Sequence, residues 1–133
     1  MELVINIDVD DIEKAITFYT DALGLRLSRR LFEGTVAELR GATSTIQLLL
    51  KESGSAPAAP IQTRRDYGRH WTPVHLDFTV EDISAAVERA VRAGATLEGP
   101  VQRHRWGHLA TLSDPFGHGF CLIQFLEGGY DDV

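Results

Sequence analysis

His75 and Asp77 stand two positions apart in a segment of alternating character, HLDFTV. Side chains two positions apart on a β-strand lie on the same face, so this imidazole and carboxylate can interact. His75 could hydrogen-bond a ligand or Asp77, act as a general base, ligate a metal ion or serve a structural role. Asp77 could orient His75 or meet a cationic ligand, because a buried carboxylate needs a partner. The pair is the first candidate for a functional site, and metal-free acid–base chemistry is one reaction it could run.

The chain has one cysteine, Cys121, which excludes an internal disulfide and a zinc site built from several cysteines. A lone cysteine is most often a small buried hydrophobic residue, and the sequence around this one shows no nucleophilic triad. Its thiolate would suit a soft ion such as zinc. Burial in apolar surroundings, however, raises the pKa of a thiol. The residue type therefore favours an inert thiol over a nucleophile.

Two further histidines, His104 and His108, flank Trp106 and could be mistaken for a metal cluster. Residues four apart on a strand are separated by about 13 Å, which is too far for one ion. Trp106 and Trp71 could stack on a ligand, contact a second copy of the chain or shield the core. Three arginines in the segment before Trp71 could attract an anionic ligand or simply be solvated. They are Arg64, Arg65 and Arg69.

An internal repeat supplies the elements that must position these residues. The segment VINIDVDDI at 4–12 matches HLDFTVEDI at 75–83 in its alternate apolar positions and in its acidic-Asp-Ile ending. Apolar residues at helical spacing follow in both copies, and Gly24 and Gly94 are placed to end the two helices. Strand-like segments come next, at 25–32, 35–40 and 44–50 and then at 96–102, 107–113 and 119–126. We therefore predict an α+β fold of two βαβββ modules with eight strands and pseudo-twofold symmetry.

The repeat also sets the predicted boundaries within one domain, 1–133. The first module covers 1–50, a linker covers 51–73, the second module covers 74–127 and a tail covers 128–133. Ser, Ala, Gly and Pro dominate the first half of the linker, which predicts mobility there. The aromatic residues of its second half predict that this part docks on the fold.

Local signals mark the ends of several elements. Asp10 with Glu13 forms a capping-box-like start for the first helix, and Asp82 is placed to cap the second. The run DPFG at 114–117 predicts a tight turn between the last two strands. These signals are structural and carry no chemistry of their own.

Strand alternation then assigns side chains to faces. On the first strand Ile5, Ile7 and Val9 should pack beneath the helix of their own module. The opposite faces are not rich in Lys or Glu, so we expect two curved sheets to enclose a cleft of the kind that holds small molecules. Its predicted lining is Val4, Asn6, Gln47, Leu49, His75, Asp77, Leu109, Thr111, Cys121 and Ile123. The alternative is that these are core positions whose polar groups satisfy one another.

Composition bounds the class of protein. The 133 residues have a mass of 14.7 kDa, 44% apolar content and a mean hydropathy of −0.09, as expected for one globular domain. A net charge of −6 disfavours nonspecific binding to nucleic acid. No apolar run approaches the roughly 20 residues of a spanning helix, and no secretory signal is visible at the start. We expect a cytoplasmic protein.

Three motifs resemble the vicinal oxygen chelate superfamily, which includes glyoxalase I, bleomycin-resistance proteins, fosfomycin-resistance enzymes and extradiol dioxygenases. They are DIEKAITFY at 11–19 followed by LGL, HLDFTVED at 75–82, and DPFGHGFCLI at 114–123. The resemblance implies the glyoxalase/bleomycin-resistance fold, with mixed curved sheets around a cleft. It also implies a homodimer in which the partner's strands often complete the cleft. It does not fix one function, because the scaffold hosts lyases, isomerases, dioxygenases and binders without catalysis.

Metal-bearing members of the superfamily carry one ligand on the first and one on the last strand of each module. The resemblance places these ligands on Val4, Gln47, His75 and Cys121, where the usual residues are His or Gln, Glu, His and Glu. Val4 cannot ligate, Gln47 lacks charge and Cys121 replaces a carboxylate. Hard cations need charged oxygen ligands, which this set offers only if Asp77 turns inward. A zinc ion held by His75, Cys121 and Gln47, with water as a fourth ligand, is the alternative.

The sequence therefore predicts a glyoxalase/bleomycin-resistance-like protein that binds a small organic molecule without a metal or other cofactor, so as to sequester a drug or metabolite. The predicted ligand-binding residues are Asn6, Gln47, Leu49, Trp71, His75, Asp77, Trp106, Leu109, Thr111, Cys121 and Ile123. His75 and Asp77 are the catalytic candidates should the protein be an enzyme. The alternative is a metal-dependent lyase, isomerase or dioxygenase that uses His75, Gln47 and Cys121. Expected partners are the ligand and a second copy of the chain, with neither nucleic acid nor membrane.

Overall fold

The computed structural model describes residues 1–71, 74–131 and 133, and it divides the chain into two compact units, Met1–Gly68 and Arg69–Val133. Each unit contains one helix and one mixed sheet. The α+β class and the strand–helix–strands order predicted from the repeat are confirmed. The boundary between the units falls inside the predicted linker. Within the described ranges, neither helix has the length and apolar character needed to cross a bilayer.

The first unit is a four-stranded sheet with one helix. Its elements are β1 (Val4–Val9), α1 (Ile12–Leu23), β2 (Arg26–Leu31), a 3-10 turn (Phe32–Gly34), β3 (Val36–Arg40) and β4 (Thr45–Leu50). The strands lie in the order β1-β4-β3-β2, with β1 parallel to β4 and the other neighbours antiparallel. The first and last strands of the unit are therefore adjacent in the sheet.

The second unit repeats this topology. Its elements are β5 (Leu76–Thr79), α2 (Ile83–Ala93), β6 (Thr96–Leu97), β7 (Gln102–Arg103), β8 (Gly107–Ser113) and β9 (Gly119–Phe125). The order is β5-β9-β8-β6, with β7 also paired to β8 and with β5 parallel to β9. The residue pattern that occurs twice in the sequence thus corresponds to a strand order that occurs twice in the structure.

One predicted strand is interrupted. The segment 96–102 was expected to be continuous, but it forms two short strands, so the described residues contain nine strands rather than eight. Gly99 lies between them with φ at +110°, a value that extended strands do not adopt. Pro100 follows it and has no N–H to donate to a sheet. These two residues end the pairing locally while the strand resumes at Gln102.

The helix covers one face of the sheet in each unit. In the first unit Phe18 and Tyr19 are buried and meet edge to face, with ring centroids 5.0 Å apart. Val9 is buried on the sheet, as its alternation predicted, and Ile46 and Leu48 on β4 are buried as well. Burial of side chains of this size contributes about 1.5–3 kcal/mol each. The opposite face of each sheet is consequently left for other roles.

The caps at the helix ends follow the sequence signals with one correction. Gly24 has φ at +68° and ends α1, and Gly94 has φ at +120° and ends α2, both as predicted. Asp82 accepts a hydrogen bond from the backbone N–H of Ala85 at 3.1 Å and caps α2, which confirms its prediction. The predicted cap of α1, Asp10, was wrong, because the next residue occupies the position before the first helical turn.

That position belongs to Asp11. Its backbone is extended, and its side chain accepts from the backbone N–H of Lys14 at 3.1 Å. Glu13, expected to complete a capping box, instead forms an ion pair with Arg30 on β2. Glu13 therefore joins the helix to the sheet instead of closing the helix start.

The segment after β4 docks on the first unit. Arg65 donates from Nε to a carboxylate oxygen of Asp8 at 2.6 Å, and its side chain is only 14% exposed. The hydroxyl of Tyr67 donates to the carbonyl of Lys51 at 2.7 Å. Burial, together with the charges of Asp8 and Asp10, raises the pKa of Tyr67 to about 12. Arg65 thus has a fixed partner and is not a freely solvated side chain.

Replacing Asp11 by Ala is expected to lower the free energy of unfolding by about 1 kcal/mol, because the Lys14 N–H loses its acceptor. Asp10→Ala is the matched control and should cost no more than about a few tenths of a kcal/mol. Urea unfolding followed by circular dichroism measures both values. Equal losses in the two variants, or a larger loss for Asp10→Ala, would contradict the assignment.

Candidate functional site

The strand register of the second unit brings three of the predicted residues into one row. Asp77 on β5 is aligned with Cys121 on β9, and Cys121 is aligned with Thr111 on β8. Ile123 and Leu109 form the next row on the same face. Residues aligned across neighbouring strands share a face of the sheet. The prediction that Leu109 and Thr111 lie on the Cys121 side is therefore confirmed.

His75, Asp77 and Cys121 form a compact group on this face. Nε2 of His75 lies 3.3 Å from Oδ1 of Asp77. One donor atom from each of the three residues lies within 4.8 Å of the other two. The side chains of His75 and Asp77 are each 43% exposed, whereas Cys121 is buried. The imidazole and the carboxylate are thus accessible from outside, whereas the thiol is buried.

The thiol of Cys121 is held in its protonated form. Burial is the largest cause, and the charge of Asp77 and a hydrogen bond from the thiol to its carboxylate act in the same direction. Together they raise the pKa of Cys121 to about 12. Because the thiolate is the nucleophile, this thiol is unreactive near neutral pH. The sequence-based preference for an inert cysteine has a physical cause in this arrangement.

Trp71 forms a fixed wall beside His75. The two rings meet edge to face with centroids 5.1 Å apart. The indole N–H donates to Oε2 of Glu98 at 3.1 Å, and the guanidinium of Arg69, ion-paired with the same carboxylate, lies over the indole at 4.9 Å. The ring also lies against Gly119, where an added Cβ would come within 2.4 Å of it. Only glycine at position 119 lets the indole lie this close.

The backbone next to Trp71 is joined to the sheet. His70 donates its N–H to the carbonyl of Gly117 and accepts from the N–H of Gly119, both at 2.9 Å. Its Nε2 lies 2.9 Å from Nδ1 of His118. The second half of the predicted linker therefore docks on the second unit at residues 69–71. Thr72 and Pro73 lie outside the described residues.

Trp106 belongs to a different aromatic group. It stacks on His104 with a centroid distance of 4.8 Å and contacts the rings of Phe125 and Tyr130. The ring of Trp71, by contrast, contacts the ring of His75. The structure thus assigns the two tryptophans to two separate environments within the second unit.

The remaining predicted residues lie on the first unit. Asn6 on β1 is aligned with Gln47 on β4, and Leu49 lies two positions further along the same face. Asn6 is exposed, and Gln47 and Leu49 are half-buried. Val4, in the position where the superfamily carries a ligand, is exposed at the start of β1. Neither Asn6 nor Val4 brings a charge to this face.

Sequence reasoning missed the charged residues beside Gln47. Glu38 on β3 is aligned with Gln47, is buried, and is ion-paired with both Arg29 and Arg40. All three line an open cavity of about 620 Å³ together with Gln47. A charged residue at an otherwise apolar run, VAEL, was the available signal.

The residues present fit a soft cation better than a hard one. A histidine nitrogen, a cysteine sulfur and one carboxylate oxygen are ligand types that zinc accepts. The sequence left open whether Asp77 turns toward the other candidate ligands. It does, because it is aligned with Cys121 on the same face of the sheet. Magnesium and manganese prefer more oxygen ligands than this group offers. Zinc binding here would first require the Cys121 thiol to lose its proton.

Comparison with known proteins places the chain in a family. Residues 4–123 match the family described as Glyoxalase-like domain, and the chain belongs to that family. The vicinal oxygen chelate resemblance and the glyoxalase/bleomycin-resistance fold inferred from the motifs are confirmed. The curated relatives that it matches are longer, and the chain spans about a third to two fifths of their length.

One relative and two solved structures illustrate the likeness. The chain is 31% identical over 122 residues to the anthracycline biosynthesis protein DnrV of Streptomyces peucetius, which covers 90% of this chain and 39% of that protein. A glyoxalase-related enzyme from Fulvimarina pelagi superposes with a TM-score of 0.72 at 18% identity, covering 93% of this chain and 87% of that one. The fosfomycin resistance protein FosX from Listeria monocytogenes gives 0.71 at 17% identity, covering 95% and 93%. At these identities the structures establish the fold alone.

Alkylation of Cys121 by iodoacetamide is expected to be slow near neutral pH and to rise with pH as long as the protein stays folded, because the pKa is about 12. Asp77→Asn should shift this pH–rate profile to lower pH, with about tenfold more thiolate for each unit of lowered pKa. Glu81→Gln removes an equal charge from an exposed neighbouring position and should leave the profile in place. Identical shifts in both variants would show that Asp77 has no specific effect.

Proposed function

We propose that the protein binds a small organic molecule on the sheet face of its second unit and sequesters it without a metal ion. The observation that carries the proposal is the His75–Asp77 pair, whose side chains are 43% exposed and lie beside the fixed ring of Trp71. Most small-molecule sites combine apolar walls with a few oriented polar groups. Here the imidazole and carboxylate would recognise polar groups of the ligand, and the indole would contact an aromatic or apolar part.

The surroundings of the pair support binding rather than solvation. Leu109 and Thr111 are half-buried and lie on the same face, and Ile123 is buried there. Trp71 is held by Glu98, Arg69 and Gly119, so a ligand would not have to order it on binding. A preordered wall lowers the entropy cost of association. The site therefore suits a rigid, planar ligand with hydrogen-bonding groups on one edge.

The likeness to DnrV guides the choice of ligand class. That protein is named for anthracycline biosynthesis, and anthracyclines are planar aromatic molecules that carry hydroxyl and carbonyl groups. Such a molecule offers one face for the indole and polar edges for His75 and Asp77. We include in the proposal a cytoplasmic location and a homodimer, both implied by the superfamily resemblance.

Binding of an anthracycline is expected to quench Trp71 fluorescence with saturation. Trp106→Phe leaves Trp71 as the reporter, and Trp71→Phe leaves Trp106 as the matched control. Quenching should saturate in the first variant and be weak and linear in the second. His75→Ala and Asp77→Asn should each weaken binding by about tenfold, since each loses a hydrogen bond to the ligand.

Two further measurements make this test decisive. Gly119→Ala forces the indole away from its position, so it should weaken binding as much as Trp71→Phe does. His104→Ala, next to Trp106, should bind as the unaltered protein does. If planar aromatic ligands, anthracyclines included, quench neither tryptophan with saturation, the proposal is wrong. Equal saturable quenching of both tryptophans would also contradict a site at Trp71.

A metal-dependent enzyme is the second candidate, and the separation of at most 4.8 Å among His75, Asp77 and Cys121 donor atoms favours it. A zinc ion bound there would polarise oxygens of a substrate, as a Lewis acid does in lyases, isomerases or dioxygenases. In that case His75 and Cys121 would serve as ligands, as the superfamily resemblance implies. Gln47, the third ligand of the sequence-based alternative, lies on the other unit.

Protein purified without chelator is expected to contain far less than one equivalent of zinc, because the Cys121 proton opposes binding. Metal analysis measures the content directly. Titration with Co²⁺ adds a spectroscopic readout, since a cobalt–thiolate bond gives an intense near-ultraviolet band. One equivalent of zinc that is lost in His75→Ala and in Cys121→Ser, but kept in His104→Ala, would establish the second candidate instead.

A further inference from the structure

A buried carboxylate on the first unit is held between two guanidinium groups. The side chain of Glu38, in the middle of β3, is only 4% exposed. Arg29 on β2 donates from Nε and Nη2 to the two carboxylate oxygens, at 3.2 and 3.1 Å. Arg40, at the end of β3, donates from Nε and Nη2 to Oε1 at 3.4 and 3.3 Å. Both oxygens of Glu38 are therefore occupied by arginine.

This arrangement orients the arginines and leaves much of each one available. The hydrogen bond from Arg29 is the main reason that the pKa of Glu38 is lowered, although burial opposes it, so the carboxylate stays charged. A guanidinium group carries five N–H donors. Arg29 and Arg40 each use two of them in hydrogen bonds to Glu38. The arginine side chains are 62% and 48% exposed. Their remaining donors can meet a molecule that approaches this face.

Arg29 and Arg40 line a cavity that is large enough to hold a small molecule. Its volume is about 620 Å³, within the usual range of roughly 300–1,000 Å³ for small-molecule sites. Residues with hydroxyl or amide groups also line the cavity: Thr43, Ser44, Thr45 and Gln47. Hydroxyls and amides can donate hydrogen bonds in addition to the guanidinium groups. The lining is thus rich in donors on one side.

Charge alone does not define the ligand. Glu2 also lines the cavity, so two arginines face two glutamates in its wall. Attraction to an anion must therefore come from directed hydrogen bonds instead of a net positive field. The planar fork of arginine matches the two oxygens of a carboxylate, and it also binds phosphate and phosphonate oxygens. A ligand with one flat oxyanion group fits these requirements.

We propose that this cavity binds the oxyanion group of a small organic acid, with Arg29 and Arg40 as the binding residues and Glu38 as the residue that positions them. The cavity belongs to the first unit, so the proposal does not depend on ligand binding at His75 and Asp77.

The probe is benzoate, and benzamide is its neutral counterpart of the same shape. Titration of isotope-labelled protein with benzoate should give saturable chemical-shift changes at the side-chain N–H groups of Arg29 and Arg40. Backbone amides of residues 43–47 should shift with the same dissociation constant. Benzamide should give no saturable change at these positions. Phenylphosphonate, in a parallel titration, distinguishes a preference for carboxylate from a preference for phosphonate.

Variants separate binding from folding. Arg29→Gln and Arg40→Gln should each weaken benzoate binding at least about tenfold, because charged hydrogen bonds are lost. Arg30→Gln is the matched control on the same strand: it removes an arginine that is ion-paired with Glu13, and it should bind as before. Should Arg29→Gln unfold because it strands a buried charge, the double variant Arg29→Gln/Glu38→Gln removes that charge as well. The folded double variant should also bind at least about tenfold more weakly.

Several results would overturn the proposal. Equal shifts with benzamide and benzoate would show that the charge is not recognised. An equal loss in Arg30→Gln and Arg29→Gln would indicate nonspecific attraction to basic residues. If neither benzoate nor phenylphosphonate gave saturable shifts, the cavity would not be an oxyanion-binding site. Saturable shifts confined to the residues around His75 and Trp71, with none at Arg29 and Arg40, would place the probe at the second unit instead.

Discussion

The alternation of side chains along paired strands is the constraint on which both candidate sites depend. In the first unit the pairing aligns Glu38 with Gln47, and in the second it aligns Asp77 with Cys121. Because side chains alternate between faces, each aligned pair lies opposite the residues that pack beneath the helix. One face of the sheet can then supply stability from apolar burial. The other face can carry polar groups without opening the core.

The two units share a topology and differ in the chemistry of this second face. The first unit carries guanidinium donors organised by the buried carboxylate of Glu38. The second carries an imidazole, a carboxylate and a protonated thiol beside an indole. Charged groups are costly to bury unless they are paired, and in both units the buried or half-buried charge has a partner. The duplicated scaffold therefore presents two different sets of polar groups in one chain.

Much of the fold could be predicted because its signals are local. Alternation of apolar residues identified the strands, and Gly24 and Gly94 marked the helix ends with the backbone freedom that a helix end requires. The repeat itself gave the order of elements in both units. The prediction was wrong where two neighbouring residues had the same capping ability. Asp10 and Asp11 both suit a cap, and only the path of the chain out of β1 decided between them.

The sequence by itself determined the α+β class, the duplicated topology and the face to which His75, Asp77 and Cys121 belong, since each follows from residue spacing along one strand or helix. The tertiary structure alone decided which distant side chains meet. Glu38 lies between Arg29 and Arg40, and Trp71 lies against Gly119, 48 positions away in the chain. The periodicity of apolar residues determines which face of its own strand or helix a side chain occupies. The choice among many possible partners depends on strand register and on how closely two backbones approach, which only the folded chain defines.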